Sequence, residues 1–484
     1  MADKITTYLG PKGYTIYKEN ISIQEQQYIR TELNVKPYVP KSMGGAVEPF
    51  PIYRESHKKF YVPRYFGESI YGEADEVRIP DPLPINLEFK GDLRDYQEKV
   101  VEIYKDNMDK GGGLLEIPCG RGKTVMALKI LSELKVKTLV VVHKGFLLNQ
   151  WVERINQFLP GAKVGTIQGQ TIDIEGKDIV IGMLQSLSMK NYPQSMFESF
   201  GLTIVDEVHH IAAEVFVRSL FKIVTKYVLG LSATMQRKDG LSKVFKMFLG
   251  DIVYKEKPKG NDKVLVKVIE YKTNDAEFNE TKYDFRGNPA YSTMISKLCT
   301  YNRRSEFIIK VIKDLYDEDN TRQIMILGHN KNLLTYLFKA IEHRNIASVG
   351  YYVGGMKIEA LKESESKKII IGTYSMASEA LDIKSLTTLV MATPKTDVTQ
   401  SIGRILRTNH CQPVVVDILD THDVFQRQGI KRRKYYVKQN YRIIKTNNQE
   451  YDSNNWETLY EPGSKKKKVK KDEDPMKGKC LIKL

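Results

Sequence analysis

Short apolar runs recur along most of the chain and alternate with segments in which apolar residues return every three or four positions. In the first half, five such runs predict buried strands: Gly113–Ile117, Thr138–Val142, Asp178–Ile181, Thr203–Val205 and Val228–Leu231. Between the first two runs, Met126, Ile130, Leu131 and Leu134 stand at helical spacing. Alternating strands and helices predict an α/β domain with a parallel sheet, because parallel strands need long crossover connections.

The same alternation returns in the second half, after the polar segment Lys255–Lys263, which contains Pro and Gly and is predicted to be a linker. The predicted strands of this half are Gln323–Leu327, Ser348–Tyr352, Lys368–Gly372, Leu389–Ala392 and Pro413–Ile418. The first 86 residues are rich in Tyr and Pro and end in the PDPLP segment Pro80–Pro84, a second predicted linker.

The predicted domain order has four parts. An N-terminal accessory domain covers residues 1–86, and a first α/β lobe covers 87–255. A second lobe covers 265–445, and a C-terminal extension with a basic, disordered tail covers 446–484. The chain has 484 residues. This length suits two or three domains, since single hydrophobic cores stop growing at a few hundred residues.

The formal charge of +16 favours a polyanionic partner, but its distribution changes that picture. The last 60 residues carry +10 of it, so the global charge is weak evidence about the two lobes. Lys431–Tyr436 interleaves cations with aromatics, as phosphate contact with base stacking would require, and includes Lys431, Arg432 and Arg433. An ordinary solvated helix or edge strand explains this segment equally well. Lys465–Lys471 is either a nuclear-import or nucleic-acid-tethering segment or a solubilising tail.

The compartment is predicted from what the chain lacks. Its four cysteines, Cys119, Cys299, Cys411 and Cys480, form no CxxC pair, which argues against a disulfide framework and a zinc site. No apolar run approaches about 18 residues, so no membrane-spanning helix is expected. The first ten residues show no secretion signal. We expect an intracellular protein without membrane association.

A phosphate-binding loop follows the first predicted strand, at Pro118–Thr124. Gly120 and Gly122 flank Arg121 and would let backbone N–H groups turn towards phosphate oxygens, at the positive end of the next helix. Lys123 would reach the β- and γ-phosphates of ATP, and the Thr124 hydroxyl would bind Mg²⁺. Ile117 occupies the position where the strict phosphate-loop pattern has its first Gly.

An acidic pair follows the fourth predicted strand, in the sequence Asp206-Glu207-Val208-His209. Carboxylates at a strand's carboxyl end suit a nucleotide site in a parallel sheet. Asp206 would hold Mg²⁺, and Glu207 would orient and activate the attacking water. His209 would couple the nucleotide to a later motif.

These two motifs stand in an order that resembles superfamily 2 helicases of the DEVH type, and the resemblance runs from about residue 90 to 420. It implies two tandem RecA-like lobes and hydrolysis of ATP with Mg²⁺. Arg94 and Gln97 resemble the adenine-reading element, and Ser232-Ala233-Thr234 resembles the motif that links hydrolysis to movement. Val141–Trp151 and Gly182–Ser186 resemble motifs that contact the nucleic-acid backbone, with His143, Lys144, Gln185 and Ser186 as the predicted contacts.

The second half continues the resemblance. Gly372–Ile383 resembles motif V, in which Thr373 would contact nucleic acid and Asp382 the ATP ribose, although Ala380 stands where Gly is usual. Gln400–Arg407 matches the QxxGRxxR of motif VI, which implies that Gln400 binds ATP and that Arg404 and Arg407 neutralise transition-state charge from the second lobe. His329 stands in the motif IV position, where nucleic-acid contact and ordinary loop packing are equally good readings.

Within the superfamily, Gln236–Gly240 and motif V resemble one group that contains XPB-type, UvsW-type and large-DNA-virus helicases. Pro51–Gly67 resembles the N-terminal region of the viral members, including the poxvirus transcript-release helicase. The resemblance favours a monomeric motor on DNA, with RNA as the alternative, alongside transcription or repair machinery. It implies a cytoplasmic viral factory or a virion as location, or the nucleus. The nearest rival hypothesis is a translocase that anneals or remodels strands or releases transcripts without much strand separation. The other two rivals are a binding scaffold with an inactive ATPase and a motor subunit of a restriction or repair complex.

Overall fold

A computed structural model describes residues 6–38, 48–118, 120–235, 237, 239–256, 263–379, 383, 385–405 and 412–463. The chain divides into two compact units, Met1–Lys257 and Pro258–Leu484, which are described separately. In the described ranges, no helix is long and apolar enough to cross a membrane.

The described part of the first unit contains an eight-stranded, a five-stranded and a two-stranded sheet. Its elements, in chain order, are β1 Thr7–Gly10, β2 Gly13–Tyr17, α1 Ile23–Glu32, β3 Asn34–Val35, β4 Phe50–Pro51, β5 Arg54–Glu55, β6 Lys59–Val62, α2 Arg64–Tyr71, β7 Glu76–Val77, α3 Asp95–Lys105, β8 Gly112–Glu116, α4 Lys123–Leu134, β9 Thr138–Val142, α5 Gly145–Phe158, β10 Val164–Gln168, β11 Thr171–Ile172, β12 Ile179–Met183, α6 Leu184–Met189, β13 Leu202–Val205, α7 Ala213–Leu220, β14 Tyr227–Ser232, α8 Ser242–Leu249 and β15 Ile252–Lys255.

The larger sheet of this unit has the strand order β11-β10-β12-β9-β13-β14-β8-β15. Its pairings are parallel except for β10 with β11. The central strands are buried along their whole length, as expected for a parallel sheet covered on both faces. The five predicted strands correspond to β8, β9, β12, β13 and β14 within one or two residues, and the predicted α/β class is confirmed.

The smaller sheet, of order β5-β6-β2-β1-β7, belongs to the N-terminal segment. Its inner face packs with α1 and α2 in a hydrophobic core that continues into the larger sheet's core. The fit is close at Gly67 on α2, where a Cβ would lie 2.2 Å from the Tyr14 ring. The N-terminal segment is therefore packed into the first unit, and the domain boundary at residue 86 stays a prediction.

The second unit is an α/β structure built around one large sheet. Its elements are β16 Leu265–Tyr271, α9 Ala276–Asn279, α10 Tyr291–Thr300, α11 Asn302–Glu318, β17 Gln323–Gly328, α12 Lys331–His343, β18 Val349–Tyr352, α13 Ile358–Glu365, β19 Ile369–Thr373, α14 Tyr374–Glu379, β20 Leu386–Met391, α15 Thr399–Ile405, β21 Val414–Asp420, α16 Asp423–Lys438, β22 Arg442–Asn447 and β23 Glu457–Tyr460.

The sheet of this unit has the order β18-β19-β17-β20-β21-β16-β22-β23, parallel except for β22 with β23. The pattern had not predicted β16, because Lys267 and Glu270 interrupt its apolar residues, yet it pairs with β21 over its whole length. Strand β23 lies inside the segment predicted as the C-terminal extension, so the sheet continues past residue 445.

Two buried arginine–aspartate pairs brace β21. Arg432 on α16 is fully buried and donates from Nε and Nη2 to the two carboxylate oxygens of Asp417, each at 2.7 Å. The Tyr436 hydroxyl donates to the same carboxylate at 3.0 Å. Arg304 on α11 forms a matching bidentate pair with Asp420. The predicted nucleic-acid contact of Arg432 is therefore wrong, because its guanidinium is buried inside the second unit and hydrogen-bonded to Asp417.

We predict that Arg432→Ala lowers the free energy of unfolding by about 3–5 kcal/mol, because it leaves the Asp417 carboxylate buried without its counter-charge. The adjacent, exposed Lys431→Ala is the matched control and should change the unfolding free energy by at most about 0.5 kcal/mol. Urea unfolding followed by circular dichroism measures both. Equal effects of the two substitutions would contradict the structural role of Arg432.

Candidate functional site

Four neighbouring strands of the first unit end at one edge of the sheet, and each has a predicted site residue at its end or directly after it. The phosphate loop follows β8, His143 follows β9, Asp206 and Glu207 follow β13, and Ser232 ends β14. Because these strands are parallel and adjacent in the order β9-β13-β14-β8, their carboxyl ends bring the four segments together.

The phosphate loop has the backbone that its glycines predict. Gly120 and Gly122 have φ values of 78° and 79°, in the left-handed region where a side chain is strained. A Cβ on Gly122 would also lie 2.4 Å from Nε2 of Gln97. Helix α4 begins at Lys123, with Thr124 in its first turn, so its N-terminal N–H groups are available at this loop. Cys119 lies outside the described residues.

Lys123 and Glu207 meet in the structure. Nζ of Lys123 donates to Oε1 of Glu207 at 3.0 Å, and both side chains are largely buried. Glu207 has a φ of 50°, an unusual conformation for a non-glycine residue. Such strain is often concentrated at functional sites, where the surrounding structure enforces it.

Asp206 is buried beside this pair and held by two donors. Nε1 of Trp151 donates to Oδ2 at 2.8 Å, and the backbone N–H of Glu207 donates to Oδ1 at 2.9 Å. Burial, with the negative charge of Glu207, raises the pKa of Asp206 to about 6. Trp151 on α5 was not predicted to orient this carboxylate, since the sequence placed it only in a segment that resembles a backbone-contacting motif.

His209 links the acidic pair to the segment after β14. Its Nδ1 lies 3.3 Å from Oε2 of Glu207 and 2.9 Å from Oγ of Ser232. The Ser232 hydroxyl donates to the carbonyl of Thr234 at 2.6 Å, so it accepts a hydrogen bond from His209. Ala233 lies between these two residues. His209 therefore lies between the acidic pair and the predicted coupling motif: it is hydrogen-bonded to Ser232, and its ring is within ion-pair distance of Glu207.

Arg237 is a further member of this network that the sequence did not indicate. Its guanidinium donates to the carbonyl of His209 at 3.0 Å and is paired with Asp239. It therefore fixes the backbone carbonyl of the coupling histidine.

The residues predicted to read adenine brace the phosphate loop. Gln97 is buried, accepts the backbone N–H of Arg94 at 3.0 Å and donates to the carbonyl of Arg121 at 3.1 Å. The Arg121 guanidinium lies 3.9 Å from the ring centroid of Tyr96 and is paired with Glu256 at 2.6 Å. The contact between Gln97 and the base stays a prediction, while Tyr96 and Glu256 are positioning residues that the sequence did not reveal.

The predicted nucleic-acid contacts of the first unit follow strands β9 and β12 at the same sheet edge. His143 and Lys144 are half-buried before α5. Gln185 is exposed on α6, and Oγ of Ser186 accepts the backbone N–H of Gly169 at 2.9 Å. Their contact with nucleic acid stays a prediction.

In the second unit, His329 directly follows β17, and Thr373 is the last residue of β19. These two strands are neighbours in the sheet. His329 is exposed as a whole, yet burial around its ring, helped by the charge of Lys395, lowers its pKa to about 4. The ring is therefore neutral at pH 7, and its Nδ1 lies 2.8 Å from Oγ1 of Thr393. Loop packing and nucleic-acid contact are both compatible with this position.

Several predicted residues fall where the structure gives no description. Asp382, Arg407 and the tail segment Lys465–Lys471 lie outside the described residues, as do the side chains of Gln400 and Arg404. The remaining basic candidates on α16, Lys431 and Arg433, are exposed, and their role stays a prediction.

The donor set suits a magnesium–nucleotide complex. Mg²⁺ takes hard oxygen ligands and is usually held by one or two protein groups together with phosphates and water. Asp206 and Thr124 are such groups, and the hydrogen bonds from Trp151 and Glu207 hold Asp206 in one orientation. The fold and this site define a nucleotide hydrolase of the parallel α/β type.

Comparison with known proteins extends this conclusion. The family model "Type III restriction enzyme, res subunit" matches residues 90–237. A protein of Acanthamoeba polyphaga mimivirus, named as an ATP-dependent RNA helicase, is 36% identical over 486 residues, which cover 97% of this chain and 92% of the relative. The DNA 3'-5' translocase XPB2 of Sulfurisphaera tokodaii is 34% identical over 195 residues, 40% of this chain and 42% of the relative.

Among solved structures, S. cerevisiae Dbp5 bound to RNA and ADP BeF3 has a TM-score of 0.52 at 12% identity, covering 74% of this chain and 91% of that one. That likeness concerns the fold alone and agrees with tandem RecA-like lobes. The chain belongs to the superfamily 2 helicases and is grouped with those of large DNA viruses. It is therefore a helicase-type ATP hydrolase.

We predict that Trp151→Phe raises the Mg²⁺ concentration needed for half-maximal ATP hydrolysis by about tenfold or more, because Asp206 loses the donor that orients it. Trp456→Phe is the matched control, since it removes the chain's other tryptophan, whose Nε1 bonds Asn454 in the second unit. Magnesium titrations of ATPase activity measure the effect. An unchanged titration for Trp151→Phe, with intact thermal stability, would refute this role.

Proposed function

We propose that this protein is an ATP-driven translocase that moves along DNA and separates or remodels its strands. The observation that carries the proposal is the cluster of Lys123, Asp206, Glu207 and His209 at one sheet edge, continuous with the Ser232–Thr234 segment. A hydrolysis site that is hydrogen-bonded to a neighbouring loop can transmit a change in its ligand to the rest of the lobe.

Each residue has a role that its position supports. Lys123 binds the β- and γ-phosphates, and Thr124 and Asp206 hold the magnesium ion, which neutralises phosphate charge when it is bound. Glu207 orients and activates the attacking water. His209 transmits a change in the position of Glu207 to Ser232. Contacts by His143, Lys144, Gln185 and Thr373 with the sugar–phosphate backbone would convert this change into movement.

DNA is preferred as the substrate because a stretch that covers 40% of the chain is 34% identical to the DNA 3'-5' translocase of Sulfurisphaera tokodaii. The name of the mimivirus relative instead favours RNA, which is the alternative substrate. The match to a restriction-enzyme subunit favours a second candidate function, the motor subunit of a larger DNA-processing complex. A place beside viral transcription or repair machinery inside the infected cell is part of this proposal, and it rests on the sequence resemblance to the large-DNA-virus helicases alone.

We predict that Lys123→Ala lowers ATP turnover by orders of magnitude while nucleic-acid binding survives, since Lys123 contacts phosphates of the nucleotide. Glu207→Gln should still bind ATP, because the amide keeps an oxygen for Lys123, but it loses the charge that activates water. Lys129→Ala, on the same helix and paired with Glu133 at its surface, is the matched control. Near wild-type turnover in both site variants would contradict the assignment.

The substrate class is tested by measuring ATPase stimulation with single-stranded DNA, duplex DNA, forked DNA and RNA of matched sequence. The proposal expects the strongest stimulation with DNA. Stronger stimulation by RNA would assign the alternative substrate, and no stimulation by any of them would contradict a nucleic-acid motor. A strand-displacement assay on the best activator then separates unwinding from translocation without strand separation.

A further inference from the structure

A short ordered loop projects from the second unit between α9 and α10. This loop, residues 282–290, folds back on itself as a hairpin: the backbone N–H of Asp284 donates to the carbonyl of Asn288 at 2.7 Å, and that of Ala290 donates to Lys282 at 2.8 Å. Tyr283 and Pro289 form an antiparallel bridge between its two arms. We call it the tip loop.

The turn of the tip loop is held by one carboxylate. Oδ1 of Asp284 accepts the backbone N–H groups of Arg286 and Asn288, each at 2.9 Å. Gly287 has a φ of 74° and donates its N–H to the carbonyl of Asp284 at 3.0 Å. These bonds are typical of an Asx turn, in which an Asp or Asn side chain accepts the backbone N–H groups that no backbone carbonyl accepts.

The turn of the tip loop exposes an aromatic ring to solvent. Phe285 is 91% exposed, and Tyr283 in the adjoining arm is 63% exposed. The guanidinium carbon of Arg286 lies 4.9 Å from the ring centroid of Phe285. A rigid turn that exposes phenylalanine contributes nothing to the core, so its ring is available to a partner that offers a flat apolar face.

The base of the tip loop is attached to the segment that holds the predicted nucleic-acid contacts. The Tyr291 hydroxyl donates to the carbonyl of Pro394 at 3.2 Å. The preceding residue, Thr393, contacts Nδ1 of His329 and accepts the Tyr374 hydroxyl at 2.6 Å. The tip loop and His329 are thus fixed to consecutive residues after β20, at the carboxyl edge of the same sheet.

Two cations lie beside aromatic rings at the tip loop and near its attachment. The Lys395 ammonium lies 4.6 Å from the centroid of the Tyr374 ring, next to His329. Asp284, the acid at the turn itself, is engaged by backbone N–H groups, whereas Arg286 lies beside the exposed ring. A planar ring with a cation alongside is the combination that binds unpaired bases, through stacking and phosphate attraction.

We propose that the tip loop binds single-stranded nucleic acid, with Phe285 stacking on an unpaired base and Arg286 reinforcing the contact through the adjacent phosphate. This inference rests on the proposed function, because it takes nucleic acid as the partner. It adds a base-contacting residue to contacts that otherwise concern the backbone of the strand. Phe285 thereby holds one base out of the duplex stack while ATP hydrolysis moves the strand.

The test compares wild-type protein and Phe285→Ala on two single-stranded oligonucleotides of equal length, one normal and one with abasic sites throughout. Removal of the ring should weaken binding to the normal strand by about tenfold. It should leave binding to the abasic strand unchanged, because that strand has phosphates and no bases. An equal loss on both strands, or no loss on either, would overturn the proposal.

Two further variants complete the experiment. Phe285→Trp should restore binding to the normal strand, since a larger ring stacks at least as well. Ile23→Ala removes an 84%-exposed apolar side chain from α1 in the first unit and should leave binding unchanged. In strand displacement, Phe285→Ala should lose activity while its strand-stimulated ATPase rate is kept. A displacement rate equal to wild type would contradict the role of Phe285 in holding a base out of the duplex stack.

Failure of this inference is distinguishable from failure of the proposed function. If the wild-type protein shows no nucleic-acid-stimulated ATPase activity, the proposed function fails. If that stimulation is present and Phe285→Ala binds both strands as the wild type does, the tip loop is not a base-contacting element. In that case the exposed ring would have to serve a protein partner.

Discussion

The adjacency of four parallel strands is the constraint on which the nucleotide site depends. Strands β9, β13, β14 and β8 are consecutive in the first large sheet although they are far apart in sequence. Their shared direction places a phosphate loop, an acidic pair and a serine at one edge without long loops to carry them. The site residues are therefore held by buried strands, which is the arrangement that best preserves geometry while a ligand comes and goes.

Local chemistry explains what the sequence could predict. The phosphate loop needs glycines with left-handed backbone and a lysine at the start of a helix, and both requirements are visible as consecutive letters. The acidic pair is visible because it ends an apolar run. Strands buried on both faces appear as continuous apolar runs, so most central strands of the two large sheets could be located closely.

What the sequence could not predict depends on partners distant along the chain. Arg432 belongs to a basic run, and nothing near it in the sequence indicates that it pairs with Asp417 on β21. Trp151 belongs to a helix with an ordinary apolar face, yet its indole N–H reaches a carboxylate 55 residues away. Strand β16 contains charged residues that interrupt its apolar pattern, and only pairing on both sides identifies it as central.

The hydrogen bond between Trp151 and Asp206 also makes the site observable by light. The chain contains two tryptophans, and only Trp151 belongs to the first unit. Its indole is buried and donates to a carboxylate whose charge depends on its ionic surroundings. A protein that retains only this indole therefore carries an intrinsic fluorophore at its hydrolysis centre, whose emission should report on nucleotide arrival and departure in real time without an attached dye.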